Sequence, residues 1–405
     1  MKKYLYIILI ISITACATKQ IASKAIVPKV KRSYSEIMVH GIDRCISYGA
    51  RTKGTFGFVN DKGERLFDTT FNNCTNFFGN YANVYKDGAF GYVNRQGKTR
   101  FFPEYDKVYW YTDSIGYAAK NGKAALINRQ GKLKTAMIYD DLKFSDEGYF
   151  TVKQNGKWFV IDNNGTKIFN DTLNIKATFV YDGNIIYQDT INGEIKQGLI
   201  STKGEIIVKA KYDLVGGYFS NGIMHVQNNN KTGYVNRKGE IVIPIEYGKN
   251  SFDFDGELIP VRKNKKWGFI NLKNEVVIDF LYDKTGGFSE GLAMVTQKGK
   301  TGYIDRSGEI VIPIKLKSTW RGNFHEGLAV FKAENGKYGF IDTSGKVKIA
   351  PIYDSAIPFR NGLSHIQLNK KGGVINTKGE LVVPADYYDV WQFQQGIARY
   401  FIKEN

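Results

Sequence analysis

At 405 residues, with 42% hydrophobic and 24% charged side chains, the chain has a composition that excludes both a disordered and a membrane-embedded protein and has length for more than one ordinary domain. Gly (43), Tyr (26) and Phe (26) are abundant and Pro (8) is scarce, which points to many short strands joined by glycine turns rather than to helices. The formal net charge is +18, so anionic surfaces are the natural class of partner.

The first residues form a separate device. Lys2 and Lys3 give a positive start, and Tyr4 to Ile13 an apolar run of signal-peptide length, too short for a bilayer-spanning helix of ~20 residues. The run ends in Ile13-Thr14-Ala15-Cys16, which resembles a bacterial lipobox. That resemblance implies cleavage before Cys16 and a diacylglycerol thioether on its thiol, and so an extracytoplasmic, lipid-anchored protein; an ordinary secretory peptide with a chance cysteine is the alternative. Ala17 rather than Asp beside the cysteine favours the outer membrane if the cell is diderm. Residues 1–15 are thus expected to be a signal peptide. Residues 16–50, with Lys24, Lys29, Lys31 and Arg32, read as a lipid-attached tether and N-terminal cap. Cys45 and Cys74 remain as an even pair for an oxidising compartment. A bridge between them would close a loop of about 30 residues, worth roughly 3–4 kcal/mol on the chain-entropy account; two thiols buried separately are the alternative.

Residues 51–401 repeat. The clearest unit runs Lys266-Trp267-Gly268-Phe269-Ile270-Asn271, a turn, Glu275-Val276-Val277-Ile278, then Tyr282-Asp283 and Phe288-Ser289-Glu290-Gly291-Leu292-Ala293. Aligned on Gly268, ten copies fall at Gly57, Gly91, Ala125, Phe159, Gly198, Gly233, Gly268, Gly302, Gly339 and Gly373, spaced 34 to 39 residues apart. Six residues on stands Gly in every copy but one, which has Asn274, and three before that stands Asn or Asp in every copy but one, which has Ser201. Asn or Asp opening a turn and Gly closing it is the type I preference, because the side chain caps the turn and glycine relieves the exit. Strands flank the turn, as in Tyr303-Ile304 before it and Glu309 to Ile312 after it, with Pro313 ending the ladder. A third short strand follows the Gly-Leu-Ala element. Such a unit cannot bury its apolar face alone, so neighbours must stack. The expected fold is all-β: about ten three-stranded antiparallel units in tandem, forming an elongated, twisted solenoid-like array, with a closed propeller-like ring as the alternative. Residues 402–405 are a C-terminal tail.

The combined Trp/Tyr-Gly, Asp/Asn-x-x-Gly, Ile-Pro and Tyr-Asp elements resemble the WG (KWG) repeat family over roughly residues 50–401. Trp267-Gly268 is the literal Trp-Gly; Tyr338-Gly339, Phe90-Gly91 and Thr301-Gly302 vary it. The copies at Ala125 and Phe159 depart most. The resemblance implies a repeat scaffold and implies no activity.

No motif for catalysis stands out. The histidines form no metal set: His225 and His365 occupy equivalent places in different copies, which puts them on the same strand face and not together. Gly91 to Thr99 mimics a phosphate loop, but its glycines are wrongly spaced. No metal, cofactor, catalytic residue or nucleic-acid partner is expected. Trp110, Trp320 and Trp391 fall outside the Trp-Gly slot and are candidate aromatic contacts for a sugar or protein, against the simpler role of filling gaps between units. The turns carry Lys62, Arg95, Arg129, Lys203, Arg237, Lys273, Arg306 and Lys378, which stacking in register would align as a basic ridge; solvating the turns and guarding strand edges is the competing explanation. The functional expectation is a non-catalytic binding module at the bacterial envelope, for a glycan, an anionic polymer or a protein, besides the bilayer that holds its acyl anchor. A purely structural spacer is the alternative, and an enzyme with a site built across repeats a remote one.

Overall fold

The computed structural model describes residues 54–145, 148–169, 174–175, 180, 182–248, 256–317, 322–391 and 393–403. Cys16, Cys45, Trp320 and the stretches expected to be a signal peptide and a tether lie outside the described residues.

One unit shows the plan. Leu214–Val215, Ile223–Asn228, Lys231–Asn236 and Ile241–Gly248 form a four-stranded sheet in sequence order, each strand antiparallel to the next. A tight turn at Asn221-Gly222 joins the first and second strands. A two-residue tip, Asn229-Asn230, with both residues at positive φ, joins the second and third, the hairpin geometry that matches strand twist. The Asn236-to-Gly239 turn joins the third and fourth. Nine sheets recur along the chain; the seven-stranded one is two units touching at the single pair Lys317↔Lys332, so the units number ten. The fold is therefore the expected all-β tandem array, with three or four strands to a unit and no helix among the described residues.

The core lies between units rather than within them. Leu199, Val208 and Tyr212 of one sheet meet Val215, Phe219, Met224, Val226 and Val235 of the next. The third strand is buried along both faces, from Thr232 to Val235, because a neighbouring sheet covers each side.

The repeated glycine of the third strand has a steric cause. Opposite Gly268 the fourth strand bulges: Trp267 pairs with Tyr282 but Phe269 with Ile278. A Cβ on Gly268 would lie 2.5 Å from the Ile278 carbonyl oxygen and 2.9 Å from the Asp279 carbonyl carbon. In the copies with Ala125 and Phe159 the fourth strand shrinks to isolated bridges at Tyr139, Leu133 and Lys167, so a side chain is tolerated there.

Sequence repeat and sheet are out of phase. The first copy opens with third- and fourth-strand segments, Gly54–Asn60 and the bridged residues Arg65 and Phe71, that have no first and second strand before them among the described residues. The last copy ends with a first and a second strand, Asp389–Val390 and Ile397–Lys403. The two halves join: Gly54 to Asn60 pairs with Lys403 to Ile397 over seven residues. Arg95 Nη1 donates to the Gln395 carbonyl (3.2 Å), and Arg399 Nη1 to the Cys74 carbonyl (2.5 Å). The unit-on-unit stacking of a solenoid is thus present, and the terminal sheet adds the closure of a ring.

The seam is testable. Phe401 is fully buried with its ring 4.7 Å from Phe56. Phe401→Ala should cost about 3–5 kcal/mol in urea unfolding and speed amide exchange first in residues 54–60. Ile310→Ala, at a 57% exposed site, should stay within about 0.5 kcal/mol of the parent.

Candidate interaction surfaces

Alternating strand direction puts the first-to-second and third-to-fourth turns of every unit on one face of the array, and the hairpin tips with the Tyr-Asp connections on the other. The two faces use their charges differently.

On the turn face, Asn236 Oδ1 accepts the N–H groups of Lys238 (2.9 Å) and Glu240 (3.1 Å). The same pair of bonds recurs from Asn60 to Asn376, with Ser201 Oγ serving Lys203 and Glu205. The closing glycine sits at positive φ and also abuts the preceding unit. A Cβ on Gly239 would lie 2.6 Å from the Ile207 carbonyl oxygen, and one on Gly345 3.1 Å from Ile312 Cγ2. Asn274, the exception, turns its place to use: its Oδ1 accepts the Tyr247 hydroxyl at 2.7 Å.

The arginines of the expected ridge reach into these contacts. Arg95, Arg237 and Arg306 lie over Phe77, Phe219 and Phe288, the aromatic shortly before the first-to-second turn of their own unit, at 5.5, 4.9 and 5.1 Å. Arg237 Nη2 donates to Asp182 Oδ2 at 2.9 Å, and Arg306 Nη1 to Glu257 Oε2 at 2.6 Å, each carboxylate belonging to the preceding unit. Arg129 goes furthest. It is 9% exposed, stacks against Tyr81 (3.8 Å), Tyr92 and Trp110 (4.7 Å each), and donates to the Asp113 and Thr112 carbonyls. Burial lowers its pKa to about 10, against the opposing pull of Tyr81, Tyr92 and Asp113, so it stays charged at neutral pH. Four of the eight ridge residues therefore act as staples between or within units. Lys62, Lys203, Lys273 and Lys378 remain exposed at the turns.

Of the aromatic candidates, Trp110 is 3% exposed in a core with Phe102, Val108 and Ala118, so its indole is not presented to a ligand. Trp391 is half-buried against Phe56, with the Arg399 guanidinium 4.3 Å from its ring. Cys74 is buried at the seam, among Phe56, Phe71 and Phe77. His365 Nε2 lies 3.2 Å from Asp389 Oδ1, and among the described residues no group of side chains has a metal-binding arrangement.

On the tip face a second recurring device links units. Asp283, in the connection between two sheets, receives the Lys266 ammonium at 2.5 Å and the Lys298 N–H of the next tip at 2.7 Å. Asp213 does the same with Lys196 and Asn229, and Asp354 with Lys337 and Lys370. In each case the ammonium first, and the backbone N–H second, hold the carboxyl below the usual carboxylate range. Around these pairs stand lysines without an ion-pair partner among the described residues, including exposed Lys120, Lys157, Lys231, Lys265, Lys298 and Lys370. Reading the sequence for turn residues missed this set. Its signal was the two-residue Asn-Gly or Asn-Lys between apolar runs, a hairpin-tip pattern, flanked by lysine in copy after copy.

The family model described as WG containing repeat matches residues 90–123, 126–158, 198–231, 233–267, 267–300, 302–338, 338–371 and 373–405. The copies at Gly57 and Phe159 are those without a matched span of their own. A search of curated proteins finds no match. Among solved structures the chain is similar to a eukaryotic initiation factor (11% identity, TM-score 0.43, covering 86% of this chain and 98% of that one). It is similar also to Hsv2p of Kluyveromyces lactis (14%, 0.30, 57% and 90%). A third is PorZ of Porphyromonas gingivalis, a surface component of its type-IX secretion system (7%, 0.26, 79% and 52%).

Two outcomes follow. Arg129→Met leaves the Thr112 and Asp113 carbonyls without their donor and should cost about 2–4 kcal/mol in urea unfolding, while Arg306→Met, at a side chain 40% exposed, should cost about 1 kcal/mol or less. The depressed carboxyls Asp213, Asp283 and Asp354 contribute stability that is present above the ordinary Asp value of ~3.9 and lost as pH falls through their lower folded values. A variant carrying all three as Asn should therefore show a flatter dependence of Tm on pH below about 4; an unchanged slope would remove these pairs from the acid response.

Proposed function

The chain belongs to the WG-containing repeat family, and from that premise we propose that it is a non-catalytic binding module held at the bacterial envelope by a lipid on Cys16. Lys2, Lys3, the apolar run to Ile13 and the Thr14-Ala15-Cys16 ending support the anchor. No helix among the described residues is long and apolar enough to cross a membrane.

The observation that carries the binding role is the sorting of polar groups. Turn asparagines, bridging arginines and Tyr-Asp carboxylates are engaged in holding units in place, whereas the tip lysines are presented to solvent at the period of the repeat. A charge repeated at a fixed interval on a rigid support is suited to an extended anionic ligand, with the positive field steering association. An anionic glycan or polymer, or an acidic protein surface, fits that description.

Fatty-acid labelling checks the anchor: label should enter the parent and be absent from Cys16→Ser. Purified mature protein should retain an envelope fraction (sacculi, anionic polymer or an envelope protein) in a pull-down, with retention falling as salt shortens the Debye length from ~10 Å at about 0.1 M to ~3 Å at about 1 M. Failure to retain any of these fractions would leave the array as a structural spacer.

A further inference from the structure

We infer that the hairpin-tip face, and not the turn ridge, is the face that docks, and that it docks on an anionic lipid surface. This deepens the binding-module reading and rests on it.

Three observations converge. The first is exposure: Lys120, Lys157, Lys231, Lys265, Lys298 and Lys370 stand at or beside six different tips, exposed and without an ion pair among the described residues. Of the acidic groups on the same face, Asp140, Asp213, Asp283 and Asp354 are taken up by Lys123, Lys196, Lys266 and Lys337, Glu246 faces Lys263, Asp106 accepts the Asn121 N–H, and Asp189 is exposed. Glu194 joins Lys196, and Glu334 joins Lys300 and Lys317; Asp87 is exposed at its own tip.

The second is backbone conformation. Lys265, Lys298 and Lys370 occupy tip positions at φ +67°, +49° and +63°, a left-handed conformation that costs an L-residue with a long side chain and that Gly or Asn adopts readily. The corresponding positions of other tips do hold such residues: Gly122, Gly156 and Gly193 where Lys265 and Lys370 stand, Asn121 and Asn155 where Lys298 stands. Turn geometry does not call for lysine there; Glu290, Glu326 and Gln395 adopt the same conformation on the other face, and what the tip lysines add is an exposed charge.

The third is where the chain enters. In nine units the second and third strands are joined by a tip; in the closing unit they are Ile397–Lys403 and Gly54–Asn60, with Lys403 opposite Gly54. The place of the tenth tip is thus the point where residues 1–53 join the array. The sequence that precedes this point contains Lys24, Lys29, Lys31 and Arg32 and the proposed acyl site Cys16. A broad ring of single ammonium groups, with the attachment point as one of its positions, matches a plane of phosphate headgroups, each lysine adding to the attraction near an anionic surface.

The test uses mature chain carrying Cys16→Ser, so that no acyl group contributes, and vesicles of phosphatidylcholine with and without phosphatidylglycerol. Phosphatidylglycerol-dependent binding is expected at about 0.1 M salt and should be lost at about 1 M. Lys265→Asn, Lys298→Asn and Lys370→Asn combined should weaken it by roughly tenfold or more. Because Asn suits the left-handed tip, this variant should keep or raise the parent Tm. Lys62→Gln, Lys203→Gln, Lys273→Gln and Lys378→Gln combined, on the opposite face, should bind as the parent does. The inference is overturned if the tip variant binds like the parent, if the turn variant is the one that loses binding, or if the parent ignores phosphatidylglycerol. If the parent ignores these vesicles but still retains a glycan, polymer or protein in the envelope pull-down, the lipid surface falls and the binding-module reading stands.

Discussion

The contact on which the arrangement depends is the approach of each Asn-x-x-Gly turn to the fourth strand of the unit before it. The glycine there meets two demands at once, a left-handed backbone and no room for a Cβ; at Gly239 the Ile207 carbonyl already occupies that space. The asparagine side chain fixes the turn from inside by accepting two of its N–H groups. With the turn rigid and pressed on its neighbour, the spacing between units is set. The distance at which Arg237 or Arg306 meets a carboxylate of the preceding unit then follows from the stacking. On the opposite face the Lys–Asp–tip link does the equivalent work. Where both devices occur, as at Asp213, Asp283 and Asp354, a unit is held to the next at both ends of its strands, with the aromatic and aliphatic core between.

Where the sequence was legible, it was because the cause is local. The turn chemistry could be read at all ten copies, including Ser201 and Asn274, since a turn is specified within a few residues. The all-β class, the number of units and the stacking follow from period and apolar pattern. The glycine of Trp-Gly was visible as a repeat, but its reason, a bulge in the next strand passing over it, appears only in the pairing of Phe269 with Ile278. The fate of the arginines was not legible at all: Arg306 finds Glu257 and Arg237 finds Asp182 through stacking, in an adjacent unit. A ridge drawn from turn residues alone counted buried Arg129 and exposed Lys273 as alike. Trp110 shows the same limit, since a tryptophan outside the repeated slot reads equally as platform or as filling until its neighbours are known.

Closure was more accessible than it first looks. A sequence repeat that starts at the third strand leaves a third and fourth strand unmatched at one end and a first and second unmatched at the other. Two incomplete sheets of complementary composition are present in the alignment itself, with Gly57 at the head and the strand through Ala398 at the tail. The count of strands per repeat obscures this, because it is indifferent to phase.

That phase has an energetic consequence. An open array of stacked units exposes an apolar face at each end and needs capping units with polar outer surfaces. Here Phe56 and Phe58, which would be such an exposed face, are covered by Phe401 and Ile397, and Val59 by Ala398 and Tyr400. Each end caps the other, and one further interface is gained with no additional unit. Nearest-neighbour stacking lets an open array fray from its ends, one unit at a time; joining the ends removes the place where fraying starts. The first described strand after the proposed tether is also the strand that completes the ring, so attachment to the rest of the chain and integrity of the array meet in one sheet. The seven paired residues from Gly54 to Asn60 hold both.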